Sequence, residues 1–269
     1  MEISLLIRNQ LMSLSRPRVM AIINFSPDSF YTSCDVSREA DILSHVEEVL
    51  RSGADILDLG ACSTRPGSTP VDAATEWQLL SEGLEMIRHH WHDVPISVDT
   101  FRADIAERAI AMGADMINDV SGANAAPQMW ELAAKRHVPY VLTHAQSVVE
   151  PAMVDIMHFL EQYMDKLHRL GVADVVIDPG FGFGKTVEQN YALLRQLDVL
   201  QALHAPVLVG ISRKSMLYKP LQTTPDDVLA ATIAANTLAL ERGAHILRVH
   251  DVAAAVQAIQ VHQLTHPCP

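Results

Sequence analysis

Cysteine is scarce in this chain, and its spacing carries no pattern of a disulfide framework or a metal site. Cys34, Cys62 and Cys268 are the three cysteines among 269 residues, and they lie far apart. No C-x-x-C pair occurs, so we expect neither paired disulfides nor a structural zinc site built on cysteine. Unpaired thiols are typical of a reducing compartment, and we therefore predict a cytoplasmic location.

Long apolar runs are also missing from the sequence. The short run Leu5-Leu6-Ile7 is followed at once by three polar residues, which makes it too short for the apolar region of a signal peptide. No run elsewhere approaches the roughly 20 apolar residues that cross a bilayer. We expect neither a signal peptide nor a membrane span.

Basic residues are few relative to acidic ones. Lysine and arginine number 20 against 32 aspartates and glutamates, which gives a formal net charge of −12. A field of this sign disfavours nucleic acids and anionic membranes as partners. The expected partners are therefore small molecules, and an anionic substrate would need a local group of cations.

The chain lacks proline-rich or serine-rich linkers, charge blocks and low-complexity runs. Its hydrophobic fraction of 49% supports a sizeable core, and 269 residues is a normal length for a single α/β barrel. We predict one domain over residues 17–269, preceded by an N-terminal segment, residues 1–16.

Glycines mark repeated transitions from helix to strand. Gly53, Gly113, Gly171 and Gly243 each follow an amphipathic segment and precede an apolar run, as expected of the residue just past a helix end. The intervening segments form eight βα units, which favour a (β/α)8 TIM barrel over an open doubly wound sheet. The predicted strands are Val19–Phe25, Ile56–Gly60, Ile96–Asp99, Met116–Val120, Tyr140–His144, Val175–Asp178, Val207–Ile211 and Ile246–His250. The predicted helices are Arg38–Ser52, Asp72–Trp91, Arg102–Met112, Pro127–Arg136, Pro151–Leu170, Val187–Leu203, Pro225–Arg242 and Val252–Leu264.

Polar residues end or closely follow every predicted strand. They are Asn24, Ser63 to Arg65, Asp99, Asn118 with Asp119, His144, Asp178, Ser212 to Lys214, and Arg248 with His250. The carboxyl ends of the strands carry the active site in (β/α)8 enzymes. This ring of polar groups therefore predicts an enzyme.

The stretch from Val175 to Thr186 combines a strand, a carboxylate, three alternating glycines and a lysine. A phosphate-binding loop is excluded because Pro179 stands where its first glycine belongs, and a dinucleotide fingerprint is excluded because its last glycine is Lys185. Backbone without Cβ atoms can approach a flat ligand closely, and Asp178 can accept hydrogen bonds from it. An ordinary βα turn, with Asp178 held by backbone donors, stays open, as does the role of Lys185.

Seven motifs occur in order along the chain. They are Asn24-Phe25-Ser26-Pro27-Asp28-Ser29-Phe30, Ser63-Thr64-Arg65-Pro66-Gly67, Ser97-Val98-Asp99-Thr100, Ile117-Asn118-Asp119-Val120-Ser121-Gly122, Asp178 through Lys185, Ser212-Arg213-Lys214-Ser215, and Arg248-Val249-His250. Together, from about Val19 to Val261, they resemble the dihydropteroate synthases of folate biosynthesis. The resemblance implies a homodimeric, Mg²⁺-dependent enzyme that joins a dihydropterin diphosphate to 4-aminobenzoate and that sulfonamides inhibit.

The resemblance also implies a role for each matching residue. It assigns the pterin pocket to Asp99, Asn118, Asp178 and Lys214. It assigns the diphosphate to Asn24, Thr64, Arg65, Arg248, Val249 and His250, with Mg²⁺ near Asn24. It assigns 4-aminobenzoate to Phe30, Thr64, Arg65, Pro66, Arg213 and Ser215. The residues expected to be catalytic are Lys214, Asp99, Arg248 and His250.

Two other functions remain open from the sequence. A pterin-dependent methyltransferase would share the barrel and the pterin acids, but it would not need Arg248 and His250 for a diphosphate. A non-catalytic pterin-binding protein would bind the ring without releasing diphosphate.

Overall fold

The computed structural model describes residues 3–25, 36–61, 71–123 and 127–266, with backbone alone for 36–38. The strands are β1 (Ser4–Ile7), β2 (Gln10–Ser13), β3 (Arg18–Asn24), β4 (Ile56–Gly60), β5 (Ile96–Asp99), β6 (Met116–Asp119), β7 (Tyr140–Thr143), β8 (Val175–Asp178), β9 (Leu208–Val209) and β10 (Ile246–Val249). The α-helices are α1 (Val36–Arg51), α2 (Ala73–His90), α3 (Ala103–Ala111), α4 (Gln128–Arg136), α5 (Ala152–Leu170), α6 (Val187–Arg195), α7 (Ser215–Tyr218), α8 (Leu229–Glu241) and α9 (Val252–Thr265). Two 3₁₀ helices span Leu197–Leu203 and Pro225–Asp227.

Eight parallel strands form one sheet in the order β8-β7-β6-β5-β4-β3-β10-β9. An isolated parallel bridge between Ile177 and Val207 joins the two ends of this order. The Ile177 amide also donates to the Pro206 carbonyl at 2.8 Å. The sheet is thus a nearly closed barrel with helices around it, and the predicted (β/α)8 fold is confirmed.

The barrel interior is apolar at the amino ends of the strands. Side chains alternate between the two faces of a strand, and one residue from each of seven barrel strands joins a buried cluster that is separate from the layer between strands and helices. These seven are Met20, Ile56, Met116, Val141, Val176, Leu208 and Ile246. The β1–β2 hairpin covers them with Leu5 and Ile7, each burial contributing about 1.5–3 kcal/mol. This end is closed, so a site can open only at the carboxyl ends.

Several element boundaries differ from the sequence prediction. The strand predicted over Val207–Ile211 has only two residues, Leu208 and Val209; Val207 forms an isolated bridge, and a turn follows at Ser212 and Arg213. The helices predicted over Val187–Leu203 and Pro225–Arg242 each divide into an α-helix and a 3₁₀ helix. None of the helices in the described ranges is long and apolar enough to cross a membrane.

Candidate active site

A polar layer lies inside the barrel above the apolar one. Alternation along the strands turns Asp58, Asp99, Asn118, Asp178 and Arg248 toward the interior, and the four acidic and amide side chains among them are at most 5% exposed. Charged side chains are almost never buried unless they are paired. The layer therefore has to be an ordered network, and its bonds define the site.

Arg248 is the centre of that network. Its Nε donates to Asp58 Oδ2 at 2.6 Å and its Nη2 donates to Asp99 Oδ2 at 2.5 Å. Asn118 Nδ2 donates to the same Asp58 oxygen at 3.0 Å. Nη1 of Arg248 donates no hydrogen bond to a described residue. This nitrogen of a rigidly held guanidinium can therefore still donate to an anion.

Asp58 is a site residue that the sequence analysis missed. It lies in the middle of β4, whose other residues are Ile56, Leu57, Leu59 and Gly60. The pattern of polar residues at strand ends therefore does not include it. The available signal was a carboxylate at an interior-facing position of an apolar, fully buried strand. Such a charge needs a buried partner, and here the partners are Arg248 and Asn118.

The charged groups of this network shift one another's pKa. Burial acts to lower the pKa of Arg248, but the carboxylates of Asp58 and Asp99 outweigh it and raise that pKa above its ordinary value. Burial raises the pKa of Asp99 to about 7, although the Arg248 charge acts to lower it. One guanidinium shared by two buried carboxylates leaves an excess negative charge, and such perturbed groups in a cleft are typical of functional sites.

The described part of the protein supplies a hydrogen-bond donor to only one of the two carboxylate oxygens of Asp178. Its Oδ1 accepts a hydrogen bond from the Gly180 amide at 2.7 Å, while its Oδ2 accepts none from a described residue. Burial raises the pKa of this carboxyl, against the lowering effect of Lys214. The prediction that backbone donors hold Asp178 in a βα turn is therefore correct for Oδ1, whereas Oδ2 can accept a hydrogen bond from a ligand.

Four more buried atoms inside the barrel lack a hydrogen-bond partner among the residues that the structure describes. Two are Oδ1 of Asp58 and Oδ1 of Asn118, and two are the hydroxyls of Ser97 and Thr143 on the interior faces of β5 and β7. Buried polar atoms are nearly always bonded. A flat ligand with several N–H donors would supply partners for this set.

Lys214 reaches the site from the turn before α7. Its Nζ donates to the Phe181 carbonyl and lies 4.5 Å from the centre of the Phe183 ring. Gly182 has a φ of +79°, and a Cβ there would lie 2.8 Å from Lys214 Cδ. Burial lowers the Lys214 pKa to about 8, against the raising effect of Asp178.

Lys185 holds the loop after β8 in place. Its Nζ donates to the carbonyls of His144, Gly180 and Phe183 at 2.9–3.1 Å and lies 3.1 Å from His144 Nδ1. Burial lowers the Lys185 pKa to about 8, and burial and the lysine charge lower the His144 pKa to about 4. A neutral His144 can accept from the ammonium group, so Lys185 acts as a structural clamp on the loop that carries the Phe181 carbonyl.

The glycines of this loop approach protein rather than ligand. A Cβ at Gly180 would lie 1.9 Å from the His144 carbonyl oxygen, and a Cβ at Gly184 would lie 2.6 Å from the backbone between Gln146 and Ser147. The close approach expected of the glycines is present, but its partners are the segment after β7 and the stem of Lys214.

The remaining predicted residues have varied surroundings. His250 Nδ1 is 3.0 Å from Ser212 Oγ, whereas Val249 is buried on the helix side and could reach a ligand only through its backbone. Arg213, with a φ of +56°, donates to Asp251 at 2.7 Å and to Asp226 at 3.2 Å, so an anion would compete with two carboxylates.

Ser215 begins α7 directly after Lys214. Phe30, Thr64, Arg65 and Pro66 lie outside the described residues.

Asn24 offers an oxygen suited to a hard cation. It ends β3, and its Oδ1 and Asp99 Oδ2 lie 3.4 and 3.6 Å from the point where Gly60 would carry a Cβ. Mg²⁺ takes oxygen ligands and is usually held by one or two protein groups together with substrate phosphates. The residues present therefore fit a Mg²⁺ ion that arrives with a phosphorylated substrate.

Comparisons with known proteins agree with this geometry. A family model described as pterin binding enzyme matches residues 20–250. The dihydropteroate synthase of Synechocystis sp. is 36% identical over 258 residues, 91% of this chain and 89% of that protein. The Xanthomonas albilineans dihydropteroate synthase structure with 4-aminobenzoic acid has a TM-score of 0.92 at 36% identity, with both chains fully covered. A Yersinia pestis dihydropteroate synthase in a sulfonamide drug complex has a TM-score of 0.91 at 34% identity, covering 99% of this chain and 100% of that one.

The matches span nearly the whole chain. The polar layer, including Asp99, Asn118 and Asp178, lies inside the range that the family model matches, and so does Lys214. The chain belongs to the pterin-binding enzyme family and, within it, to the dihydropteroate synthases.

Proposed function

We propose that the chain joins (7,8-dihydropterin-6-yl)methyl diphosphate to 4-aminobenzoate, giving 7,8-dihydropteroate and diphosphate, as a transferase of folate biosynthesis. The observation that carries this proposal is the buried layer in which Arg248 is fixed by Asp58 and Asp99 beside the unpartnered oxygens of Asn118 and Asp178. That layer combines acceptors for a donor-rich flat ring with a cation for an anionic leaving group.

The ring would be bound by complementary hydrogen bonds. Asp178 Oδ2 and Asn118 Oδ1 are acceptors without protein donors in the described part of the chain, and a pterin edge presents a pair of N–H donors that a carboxylate accepts. Lys214 would exchange its bond to the Phe181 carbonyl for the ring carbonyl. Burial of the ring excludes water from the reacting methylene group.

Bond cleavage would proceed without a strong base. The methylene C–O bond breaks with its electron pair going to diphosphate, and the amine nitrogen of 4-aminobenzoate forms the C–N bond and then loses a proton. An aryl amine is unprotonated at neutral pH, so its lone pair is available. Arg248 offsets the charge that develops on diphosphate, which is usually the largest catalytic effect, and His250 lies beside it on the same strand end.

A Mg²⁺ ion is part of the same proposal. Asn24 would hold it with diphosphate oxygens, and the ion would offset their negative charge. Omitting Mg²⁺ and adding a chelator is expected to weaken binding of the pterin diphosphate while leaving binding of the free pterin unchanged. Equal effects on both ligands would contradict this role for the ion.

A homodimer is also proposed. The outer helices α8 and α9, which pack against each other, leave the large apolar side chains Leu238, Val261 and Leu264 exposed, and a subunit contact would cover them. Val261→Glu with Leu264→Glu is expected to convert a dimer to a monomer in sedimentation velocity, and a parent chain that is monomeric at all concentrations would refute the proposal. The cytoplasmic location expected from the cysteines stays a proposal, which cell fractionation would test.

The competing functions make different predictions for one assay. A methyltransferase or a non-catalytic binder would form no 7,8-dihydropteroate from the two substrates. We expect product formation that a sulfonamide inhibits competitively with 4-aminobenzoate. Product formation that is unaffected at saturating sulfonamide would contradict the assignment of the second substrate.

The pH profile should report Lys214. Its pKa is about 8, so the free enzyme loses this charge as the pH rises through 8, and kcat/KM for the pterin diphosphate is expected to fall there. In Lys214→Arg the guanidinium stays charged, so any residual activity should lack this alkaline limb. An unchanged limb would assign the pKa to another group, and Lys185→Met then tests whether that group is Lys185.

Lys185→Met should act through Lys214 rather than through the substrate directly. The substitution removes three hydrogen bonds to backbone carbonyls, so the loop that carries the Phe181 carbonyl, the partner of Lys214, is no longer held in place. We expect kcat/KM to fall about 10- to 100-fold, by analogy with groups that orient ligands. The measurement is steady-state kinetics beside Lys135→Met, a control at an exposed lysine in the last turn of α4. Equal kinetics of both variants would rule out the clamp role.

A further inference from the structure

A cluster of potential metal ligands lies on the outer helices, apart from the polar layer. Glu241 ends α8, and His262 and His266 lie one turn apart at the end of α9. His262 Nε2 is 3.9 Å from Glu241 Oε1, and His266 Nε2 is 3.5 Å from Glu241 Oε2. One ligand atom from each residue lies within 4.8 Å of the other two, which is the only such group found among the described residues.

The hydrogen bonds of His266 prepare it for a metal. Its Nδ1 lies 3.2 Å from the His262 carbonyl oxygen and 3.0 Å from Thr265 Oγ1. Because a carbonyl can only accept, Nδ1 carries the proton and the lone pair is on Nε2, the nitrogen nearest Glu241. Metal-binding histidines typically donate their other N–H to such a group, which fixes both tautomer and orientation.

We propose that Glu241, His262 and His266 bind one divalent transition-metal ion of the Zn²⁺ type. Zn²⁺ bonds of about 2.0–2.1 Å place tetrahedral ligand atoms about 3.3–3.5 Å apart, and the two Nε2–carboxylate separations of 3.9 and 3.5 Å are close to this range. The two imidazole rings are stacked with their centres 4.6 Å apart, so one ring has to rotate before both Nε2 lone pairs point at one ion. Two imidazoles and one carboxylate suit Zn²⁺, whereas Mg²⁺ prefers oxygen ligands alone. The fourth position would be left to water.

The location indicates a structural role for the ion. Helices of a (β/α)8 barrel run antiparallel to the strands, so the ends of α8 and α9 lie at the amino ends of the strands, opposite the polar rim. A metal there would join two helices that pack against each other without contacting the substrate. Its presence or absence therefore leaves the proposed synthase reaction unaffected.

The test is a calorimetric titration of the metal-free full chain with Zn²⁺ in excess Mg²⁺. We expect saturable binding of one ion per chain, and a rise in Tm of about 5 °C at a free Zn²⁺ concentration one hundred times Kd. Glu241→Gln, His262→Ala and His266→Ala should each lower the affinity at least tenfold, which reduces the shift in Tm at the same free Zn²⁺ concentration by about half or more. A matched control is His89→Ala with His90→Ala, which removes another exposed histidine pair with ring centres 5.1 Å apart.

Three results would overturn the proposal. They are the absence of saturable Zn²⁺ binding, affinities that the three substitutions leave unchanged, and an equal loss in the His89 and His90 control. Cys268, outside the described residues, is tested by Cys268→Ser, which should bind like the parent chain; loss of binding there would contradict the three-residue site. A surface contact between Glu241 and the two histidines would then be the remaining role of the cluster.

Discussion

Lys214→Ala is expected to lower kcat/KM for the pterin diphosphate by about 10³-fold, the upper range for removal of a single preorganised donor in an active site. The substitution removes the cation that lies against the Phe183 ring and balances the buried Asp178 carboxyl. It also removes the donor proposed for the ring carbonyl. Asp178→Asn should have a comparable effect, because its amide can no longer accept from both ring donors.

Steady-state kinetics with calorimetry on the pterin alone separates binding from chemistry. Folding of the two variants is checked by their Tm, and the kinetics are measured at a temperature at which both variants are folded. Near-normal turnover in Lys214→Ala or in Asp178→Asn would show that the pterin site has been misassigned.

Arg248→Met is expected to cause the largest loss of stability, about 3–5 kcal/mol, because it leaves two buried carboxylates without their cation. Asp58 is fully buried and Asp99 is 5% exposed, and each accepts a hydrogen bond from the guanidinium. For a chain of this size the loss corresponds to a decrease in Tm of about 10 °C. Thermal unfolding at pH 8 measures it.

The loss should depend on pH in a known direction. Burial raises the pKa of Asp99 and the Arg248 charge acts to lower it. Without Arg248 the folded pKa of Asp99 therefore rises further above that of the unfolded chain, so the folded state of the variant binds more protons than that of the parent chain in this interval. Lowering the pH from 8 toward 6 therefore stabilises the variant relative to the parent chain. A loss that stays constant or grows over this range would contradict the unpaired-carboxylate explanation.

Two controls sharpen the result. Asp58→Asn added to Arg248→Met removes one unpaired charge and should recover part of the lost stability. Arg213→Met breaks ion pairs that are about a third exposed on the arginine side, and exposed pairs of this kind contribute only about 0–1 kcal/mol. Equal losses from Arg248→Met and Arg213→Met would mean that burial of the network is energetically unimportant.

The sequence predicted the barrel well where strand patterns are local. Ile56–Gly60, Ile96–Asp99 and Val175–Asp178 were predicted with the observed bounds, because each is an apolar run that a polar residue or glycine ends. β9 is shorter than predicted because its length is set by its neighbours rather than by its own apolar residues. The β1–β2 hairpin was missed because its turn places Arg8 and Asn9 at φ values of 53° and 60°. Such a turn favours Asn and Gly at both positions, and arginine gives no signal of it.

Site residues, like strands, could be predicted from the sequence where a local pattern marks them. Residues at strand ends, such as Asp99, Asn118 and Asp178, could be predicted because parallel strands bring their carboxyl ends to one rim. Asp58 could not be assigned, since its partners Asn118 and Arg248 come from distant parts of the chain, and Lys185 could not be assigned because of the kind of contact that it makes. Lys185 contacts backbone carbonyls from two loops, and a contact with backbone leaves no pattern in side-chain identity.

Diphosphate release from the dihydropterin diphosphate, measured with and without 4-aminobenzoate, distinguishes a synthase from a protein that only binds the pterin. We expect release that depends on 4-aminobenzoate, matches 7,8-dihydropteroate formation one to one, and is nearly abolished in Lys214→Ala. Pterin binding by the parent chain with no release of diphosphate under these conditions would contradict the proposed synthase reaction.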